Sequence, residues 1–321
     1  MAPLDDAARL IRRANAIALA THVSPDPDAI GSLLGAGGAL RTLGKRVAML
    51  CDDPPPGSVD FLPGLKDVRS TLPRGFKSDL FIGLDASDPG RLGEVAQPLM
   101  NGAFPVLVID HHVTNPNFGA VNVVEPETSS CAEVLLKLLD KLKIKPDRKI
   151  ATCLMAGIVG DTRGFSTSNV TPATLRSAAR LAEAGADLRE ISERVLSRHS
   201  LEGLRLLGLA LGDVHFDNEI IWSAIPFEKR KAAGLADSHE AGVSNILLTV
   251  PEARVSAAFV EQADGRVDVS MRARPGSNVA KVALELGGGG HPAAAGCTID
   301  GPLTVAVERV LGLLQKMSKR G

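Results

Sequence analysis

The chain has 321 residues, a formal net charge of −1, 45% hydrophobic residues and 23% charged residues. This length exceeds the usual size of one hydrophobic core, so we expect two domains, and the near-neutral charge excludes a surface that grips long duplex nucleic acid. Four scattered cysteines without a CxxC pair argue against a zinc ribbon or a disulfide framework, and no apolar stretch is long enough to span a bilayer, so we expect a cytoplasmic protein without a membrane role.

Short apolar runs rich in β-branched residues alternate with helix-compatible segments in the first half of the chain. The predicted strands are 17–21, 47–50, 79–84 and 104–109, and the predicted helices are 30–43, 131–142 and one that begins at Thr171-Pro172 with Gly185 near its end. This alternation predicts an α/β fold with a parallel β-sheet flanked by helices.

The pattern changes after residue 200. A helix is followed by strand-like runs at 219–225, 254–260 and 267–272 and by a helix at 278–286. We therefore predict a second, smaller α/β domain. The expected division is a first domain at 1–187, a helical linker at 188–211 and a second domain at 212–321.

The first predicted strand leads into three side chains of the ligand type, His22, Asp26 and Asp28. Pro25 and Pro27 bias the residues before them toward extended backbone, in which residues two apart face the same way. We therefore expect Asp26 and Asp28 to present their carboxylates to one point near His22. The alternative is that Asp28 only caps the following helix and that His22 is a satisfied surface histidine.

Other predicted elements also end in acidic or histidine side chains. These residues are Asp85 after strand 79–84, Asp110, His111 and His112 after strand 104–109, and Asp161 after the apolar segment 155–160. The carboxyl ends of parallel strands meet at one edge of a sheet, so we expect these side chains to converge there. A strand-end aspartate often only forms a turn, and we favour that role for Asp88.

The convergent positions form a set of candidate metal ligands without a cysteine. The set is His22, Asp26, Asp28, Asp85, His111 and Asp161. Imidazole and carboxylate ligands suit Mn²⁺, Mg²⁺, Co²⁺ or Fe²⁺ better than a structural zinc, and six ligands exceed the need of one catalytic ion. We therefore predict two divalent metal ions, with Mn²⁺ preferred, that share a carboxylate and act on a phosphoryl group.

The second domain carries a candidate substrate-binding motif. It consists of Arg272, the glycine run Gly287, Gly288, Gly289 and Gly290, and His291. Glycines after a helix let backbone N–H groups approach an anionic ligand, and Arg272 and His291 add side-chain donors. The alternative is a glycine helix cap followed by a flexible hinge.

These motifs resemble the DHH phosphoesterase superfamily, named after the Asp-His-His sequence that occurs here at 110–112. The motifs of His22, Asp85 and Asp161 occur in the family order, and the segment from Ser270 to Gly296 resembles the DHHA1 domain. The chain is most similar in length and domain pair to the group of bifunctional oligoribonucleases (nanoRNases) and pAp phosphatases, which cleave very short RNA to mononucleotides and 3′-phosphoadenosine 5′-phosphate (pAp) to AMP. The resemblance implies such an enzyme, commonly a homodimer, with short RNA oligonucleotides or nucleotides as substrates.

Two other functions stay open at this point. One is a phosphodiesterase for cyclic or linear dinucleotides, and the other is a metal-dependent nucleotide sensor without turnover. By analogy with the family, His22, Asp26 and Asp85 would hold one ion, Asp28, Asp85, His111 and Asp161 would hold the other, and Asp110 and His112 would be catalytic. The chain departs from many relatives at Arg163, where they have glycine, and at Ala273, where serine is frequent.

Overall fold

The computed structural model describes residues 3–197, 201–235 and 242–318. The chain divides into two units, Met1–Arg198 and His199–Gly321. This division falls inside the predicted linker 188–211, of which residues 198–200 lie outside the described part, and the bounds 1–187 and 212–321 stay a prediction. Within the described ranges, no helix combines the length and the apolar composition needed to cross a bilayer.

The sheet of the first unit consists of six strands that all run parallel, in the order β3-β2-β1-β4-β5-β6. The strands are β1 Ala16–Ala20, β2 Arg46–Leu50, β3 Val68–Arg69, β4 Leu80–Leu84, β5 Val106–Asp110 and β6 Val121–Val124. The four predicted strands are confirmed as β1, β2, β4 and β5. The chain order reverses between β1 and β4, which creates the switch point where open α/β sheets bind their ligands.

Helices and short turns cover this sheet. They are α1 Pro3–Arg13, α2 Pro27–Thr42, α3 Gln97–Met100, α4 Cys131–Leu142, α5 Arg148–Asp161, α6 Pro172–Glu183 and α7 Leu188–Ser192, with short 3₁₀ turns that include Pro89–Leu92 and a π-helical turn Glu193–Ser197. Alternate residues of β1 face opposite sides: Ile17 and Leu19 belong to the larger core, while Ala18 and Ala20 belong to a smaller one. Burial on both faces explains why the strands are continuous apolar runs.

One local prediction is wrong at the start of α2. The extended segment ends at Asp26, which caps the helix by accepting hydrogen bonds from the N–H groups of Asp28 and Ala29, so Asp28 is already helical. Ser24 is not extended either, since its φ is +52° and its N–H donates to the Asp53 carboxylate. A helix cap therefore replaces the extended spacing that the two prolines predicted.

Glycines bring α2 and α5 unusually close together. A Cβ at Gly31 would overlap the carbonyl oxygen of Cys153, and a Cβ at Gly157 would overlap the Asp28 carboxylate. The glycines that weaken α2 as an isolated helix therefore permit its packing, and this packing places Asp28.

The second unit has a mixed sheet in the order β11-β12-β10-β9-β8-β7, with only the β8–β9 pair parallel. Its elements are α8 Leu201–Leu211, β7 Val214–Asp217, β8 Ile220–Ile225, α9 Phe227–Ala232, α10 Val243–Leu247, β9 Val255–Glu261, β10 Val267–Ala273, α11 Val279–Glu285, β11 Gly289–His291, β12 Ala294–Ile299 and α12 Leu303–Ser318. The three predicted strands and the helix at 278–286 are confirmed. The hairpin of β11 and β12 was not predicted, because its first strand is made of glycine and histidine.

Candidate metal centre

All six predicted ligands lie together at the carboxyl edge of the first sheet. His22 follows β1 and Asp85 follows β4, the two strands that flank the switch point, and His111 follows the next strand, β5. The cap and first turn of α2 supply Asp26 and Asp28, and the last residue of α5 is Asp161. Two helix ends and three strand ends therefore meet at this edge.

Among the described residues, two clusters of ligand atoms together contain the six predicted ligands, and a third consists of Asp85, Asp110, His111 and His112; in each cluster the atoms lie within 4.8 Å of one another. In the first, the Nε2 atom of His22 lies 3.8 Å from Asp26 Oδ2 and 3.7 Å from Asp85 Oδ2. The second consists of Asp28, His111 and Asp161, and its His111 Nε2 atom lies 3.1 Å from Asp161 Oδ2. The first cluster contains the three residues of one implied ligand set, and the second contains three of the four residues of the other, without Asp85. The assignment of these residues to two ions stays a prediction.

Asp85 lies between the clusters. Its side chain is 3% exposed, its Oδ2 faces His22, and its Oδ1 lies 3.6 Å from His111 Nε2. Among the described residues, Oδ1 has no hydrogen-bond partner although it is buried. A buried carboxylate oxygen without a donor is costly unless a cation neutralises it, so the residues present fit divalent metal ions.

The backbone of Asp85 is also strained, with a φ of +53°. Its N–H donates to the carbonyl of Ile109 on the neighbouring strand, which holds the residue in this conformation. Left-handed backbone in a residue other than glycine costs energy and occurs preferentially at functional sites.

The electrostatics of the clusters reflect uncompensated negative charge. Burial, together with the Asp161 carboxylate, raises the pKa of Asp28 to about 8, and burial next to Asp28 raises the pKa of Asp85 well above its ordinary value. Burial opposes the protonation of His111, but the hydrogen bond and charge of Asp161 outweigh it and raise the pKa of His111 to about 9. The metal-free site therefore retains protons that a cation would displace.

Asp28 is held by the start of α4. The N–H groups of Cys131 and Ala132 donate to its two carboxylate oxygens at 2.6 and 3.1 Å, and the Ser32 hydroxyl donates at 3.0 Å. The alternative in which Asp28 only caps the following helix is wrong, because Asp26 caps that helix. Asp28 instead binds the N-terminus of another helix, where the helix dipole favours a negative charge.

The ring of His22 is oriented by its own backbone. Nδ1 lies 2.8 Å from the Val23 carbonyl oxygen, and this contact is a hydrogen bond when Nδ1 carries the hydrogen. The lone pair is then on Nε2, which faces Asp26 and Asp85. Such a backbone bond is the usual way to fix the tautomer of a metal-binding histidine. The side chain is buried, so the reading as a surface histidine is wrong.

Asp110 orients the second histidine of its motif. Its Oδ1 lies 2.7 Å from His112 Nδ1 and also accepts the N–H of His111, while its Oδ2 accepts Asn115 Nδ2 at 2.7 Å. Burial opposes ionisation, but the hydrogen bonds from His112 and Asn115 lower the pKa of Asp110 overall. Asp110 is therefore a charged, fully buried acceptor.

Asn115 was missed by the sequence reasoning. Its Nδ2 donates both to Asp110 and to the carbonyl of Ala86, the residue after Asp85, and its side chain is buried. It thus joins the ends of β4 and β5. Its neighbours in the sequence give no chemical signal, and only the fold brings it beneath the site.

In the second unit, strand register places Arg272 and His291 on one face. Both pair with Ala294, from opposite sides, so their side chains point the same way and their backbones lie about 10 Å apart. Arg272 Nε donates to Asn245 Oδ1 at 2.9 Å, whereas His291 is exposed.

The glycine run does not form the predicted loop. The N–H groups of Gly287 and Gly288 donate to the carbonyls of Leu284 and Ala283 and end α11, with Gly287 at a φ of +81°. Gly289 and Gly290 belong to β11, and a Cβ at Gly290 would come within 2.5 Å of the Ala294 carbonyl oxygen. The predicted backbone cradle is therefore wrong for Gly287 and Gly288, whose amides are already used.

Three other sequence predictions have a structural outcome. Asp88 caps the turn Pro89–Leu92, which confirms its structural role. Arg163 has a φ of +48°, a backbone conformation that glycine adopts without strain. Ala273 is buried in the core of the second unit, on the strand face opposite Arg272, so a hydroxyl there would not join the Arg272 face.

Two family models match the chain. The model for the DHH family, N-terminal domain, matches residues 16–158, and the model for the DHHA1 domain matches residues 231–319. The bifunctional oligoribonuclease and PAP phosphatase NrnA of Thermus thermophilus is 37% identical over 92% of this chain and 88% of its own length. The chain belongs to the DHH family. The protein of the same name from Bacillus subtilis is 29% identical over 91% of each chain.

More distant DHH relatives include the cyclic-di-AMP phosphodiesterase GdpP of Geobacillus thermodenitrificans, which is 26% identical over 88% of this chain but only 44% of its own length. Among solved structures, an exopolyphosphatase-related protein from Bacteroides fragilis has a TM-score of 0.92 at 24% identity, covering 99% of this chain and 96% of that one. RecJ from Thermus thermophilus in complex with Mn²⁺ has a TM-score of 0.59 at 16% identity, covering 98% of this chain and 55% of that one. These two likenesses show the DHH fold.

Proposed function

We propose that this protein is a two-metal phosphoesterase that hydrolyses short oligoribonucleotides to mononucleotides and pAp to AMP. The observation that carries the proposal is the buried Oδ1 atom of Asp85, which has no hydrogen-bond partner in the described part of the chain and lies between two clusters of ligand atoms. One carboxylate between two such clusters is the arrangement that two ions require in order to act on one phosphoryl group.

The proposed ligands divide between two ions. His22, Asp26 and Asp85 would hold one ion, and Asp28, His111, Asp161 and Asp85 would hold the other. Mn²⁺ is the favoured ion, and Mg²⁺, Co²⁺ and Fe²⁺ suit the same ligands. When bound, such ions supply Lewis acidity and acidify a water molecule near neutral pH.

The chain itself supplies the proton-transferring group. Asp110 accepts the hydrogen on Nδ1 of His112 and thereby makes Nε2 the nitrogen that exchanges a proton with the leaving oxygen. Asn115 holds Asp110 from the other side. His112 is the proposed catalytic residue, and Asp110 and Asn115 position it.

Substrate binding is assigned to the face of the second sheet that carries Arg272 and His291. Arg272 supplies a guanidinium and His291 an imidazole for a phosphate or a base, on one side of the sheet. The small side chain of Ala294 lies between them. Gly290 allows β11 to approach β12, so its part in substrate binding is to position His291. Gly289 precedes it on β11 with open space around it, while Gly287 and Gly288 end the preceding helix.

The substrate class is proposed from the relatives. The Thermus thermophilus relative covers nearly the whole chain and is named for oligoribonuclease and PAP phosphatase activity, whereas the cyclic-di-AMP phosphodiesterase is less similar and is more than twice as long as its matched part. We therefore rank short linear substrates and pAp above cyclic dinucleotides.

The test is product analysis by chromatography after incubation of Mn²⁺-loaded protein with equal concentrations of pAp, a labelled RNA dinucleotide and a cyclic dinucleotide. We expect AMP from pAp and mononucleotides from the linear dinucleotide. Opening of the cyclic species alone would replace the proposed substrate class, and binding without any turnover would identify a nucleotide sensor.

A further inference from the structure

Arg91 lies beside the first ligand cluster on a firmly held turn. Its N–H donates to the Asp88 carboxylate, its carbonyl accepts the N–H of Val23 at 2.8 Å, and the next side chain, Leu92, is fully buried. The backbone of Arg91 is thus fixed next to the end of β1, while its side chain is exposed.

The guanidinium of Arg91 faces the side of His22 that points away from the cluster. Its Nη2 lies 3.1 Å from His22 Nδ1, but Nδ1 also lies 2.8 Å from the Val23 carbonyl oxygen. When His22 presents a lone pair on Nε2, Nδ1 carries the hydrogen and donates to Val23. Arg91 has only donors, so it cannot form a hydrogen bond with Nδ1 in that state.

Arg91 also differs from other arginines of the first unit in its charge partners. Arg41 pairs with Asp67, Arg180 with Asp140 and Arg194 with Asp60. Across residues 3–197, 201–235 and 242–318, no carboxylate lies within ion-pair distance of the Arg91 guanidinium. An exposed, preorganised guanidinium without a carboxylate partner is suited to bind a phosphate, with two parallel N–H groups.

We propose that Arg91 binds a phosphate group of the substrate that is not hydrolysed. Arg91 contacts Nδ1 of His22, on the opposite side of the imidazole from Nε2. The phosphate that Arg91 binds is therefore a second one and not the phosphate under attack. The enzyme therefore favours substrates with two phosphate groups, such as pAp and dinucleotides with a 5′-phosphate. This inference rests on the proposed function.

The test compares the RNA dinucleotide pApA with ApA, which lacks the 5′-phosphate, for the wild type and the variants Arg91→Ala, Arg91→Lys and Arg180→Ala. We expect Arg91→Ala to lower the ratio of kcat/KM for pApA to that for ApA by about 10- to 100-fold. Arg91→Lys retains the positive charge but lacks the two parallel N–H groups of the guanidinium, so its ratio should lie between those of the wild type and Arg91→Ala. Arg180→Ala, which removes an exposed arginine on α6, should leave the ratio unchanged.

Two binding measurements make the outcome independent of turnover. With Ca²⁺ in place of Mn²⁺, calorimetry should show that Arg91→Ala weakens the binding of pAp more than that of AMP. Mn²⁺ affinity should equal that of the wild type. An unchanged ratio together with equal losses for pAp and AMP would overturn the proposal, and a loss of Mn²⁺ affinity would instead make Arg91 a positioning residue for His22. A wild type that hydrolyses neither dinucleotide would refute the proposed function, while the pAp and AMP titrations would still decide the role of Arg91.

Discussion

The two units hold their polar residues in opposite ways. In the first unit the carboxylates and imidazoles are mostly buried, and backbone groups fix several of them: Cys131 and Ala132 hold Asp28, and the Val23 carbonyl holds the His22 ring. In the second unit strand register aligns Arg272 and His291 on one side of a sheet, where Arg272 is half-buried and bonded to Asn245 and His291 is exposed. The first arrangement suits ions that require fixed ligands, and the second suits a substrate that must enter and leave.

The two units also use glycine differently. In the first, Gly31 and Gly157 let two helices approach so that Asp28 reaches the site. In the second, Gly288 and Gly290 let a hairpin close, and that hairpin carries His291. In both units glycine acts through close packing and places a functional side chain indirectly.

The largest expected effect is that of Asp85→Asn. Loss of the shared carboxylate should reduce turnover of pAp and dinucleotides at least about 10³-fold, because metal ions contribute several kcal/mol to transition-state stabilisation. The thermal midpoint of the metal-free variant should not fall, since burial already disfavours the charged form of Asp85 and asparagine is neutral. A variant with full activity would contradict the shared role of Asp85.

Asn115→Asp should have the next largest effect. The variant loses the N–H donors to Asp110 and Ala86 and places a second carboxylate beside Asp110. We expect kcat to fall about 10- to 100-fold with little change in KM, because His112 loses its orientation. Asn169→Asp, at an exposed site bonded to Ser129, is the control and should keep its kcat. Equal losses in both variants would indicate a general effect on folding.

Mn²⁺ affinity should rise with pH, because the pKa values of two ligands are raised. Asp28, with a pKa of about 8, and His111, with a pKa of about 9, must lose protons before they coordinate an ion. Between pH 6 and 8, Mn²⁺ affinity should rise about tenfold per pH unit for each displaced proton. Calorimetry in two buffers of different ionisation enthalpy measures the released protons, and binding without proton release would contradict these values.

The same shifts predict the stability of the metal-free protein. The folded state binds more protons than the unfolded state, at Asp28 between pH 3.8 and about 8 and at His111 between pH 6.5 and about 9. Both groups therefore lower the free energy of unfolding as pH rises from 6 to 9. Thermal melts should show a falling midpoint without metal and a smaller fall with Mn²⁺.

The smallest effects concern the glycines of the second unit. A Cβ at Gly288 would overlap the Gly296 carbonyl oxygen, whereas a Cβ at Gly289 would have no heavy atom within 4 Å. Gly288→Ala should destabilise by about 1–3 kcal/mol, and Gly289→Ala by no more than about 1 kcal/mol. Denaturant titrations of the two variants compare them directly. Equal stabilities would mean that the hairpin is not closely packed.

The contrast between the units also explains what could be predicted from the sequence. The site of the first unit was predictable because strand ends of a parallel sheet converge, so Asp85 and His111 could be placed from the apolar runs before them. The helix cap at Asp26 was not predictable. The two prolines predict extended backbone, and they give no sign of the hydrogen bonds from helix N–H groups to the Asp26 side chain.

Tertiary contacts account for most of what was missed. Asn115 acts only because β4 and β5 are neighbours, and its partner Ala86 is 29 residues away in the chain. Glycine has a low propensity for β-strands, so the sequence does not predict β11. The strand forms because it pairs with β12. The left-handed backbone of Arg163, with a φ of +48°, also cannot be predicted from the sequence around it.

The most direct test of the central claim is a count of bound Mn²⁺ by electron paramagnetic resonance, for the wild type and Asp85→Asn. We expect two ions per wild-type chain with the coupled signal of ions about 3.5–4 Å apart, and loss of that coupling in the variant. A single bound ion, or two uncoupled ions in the wild type, would contradict a centre that is bridged by Asp85.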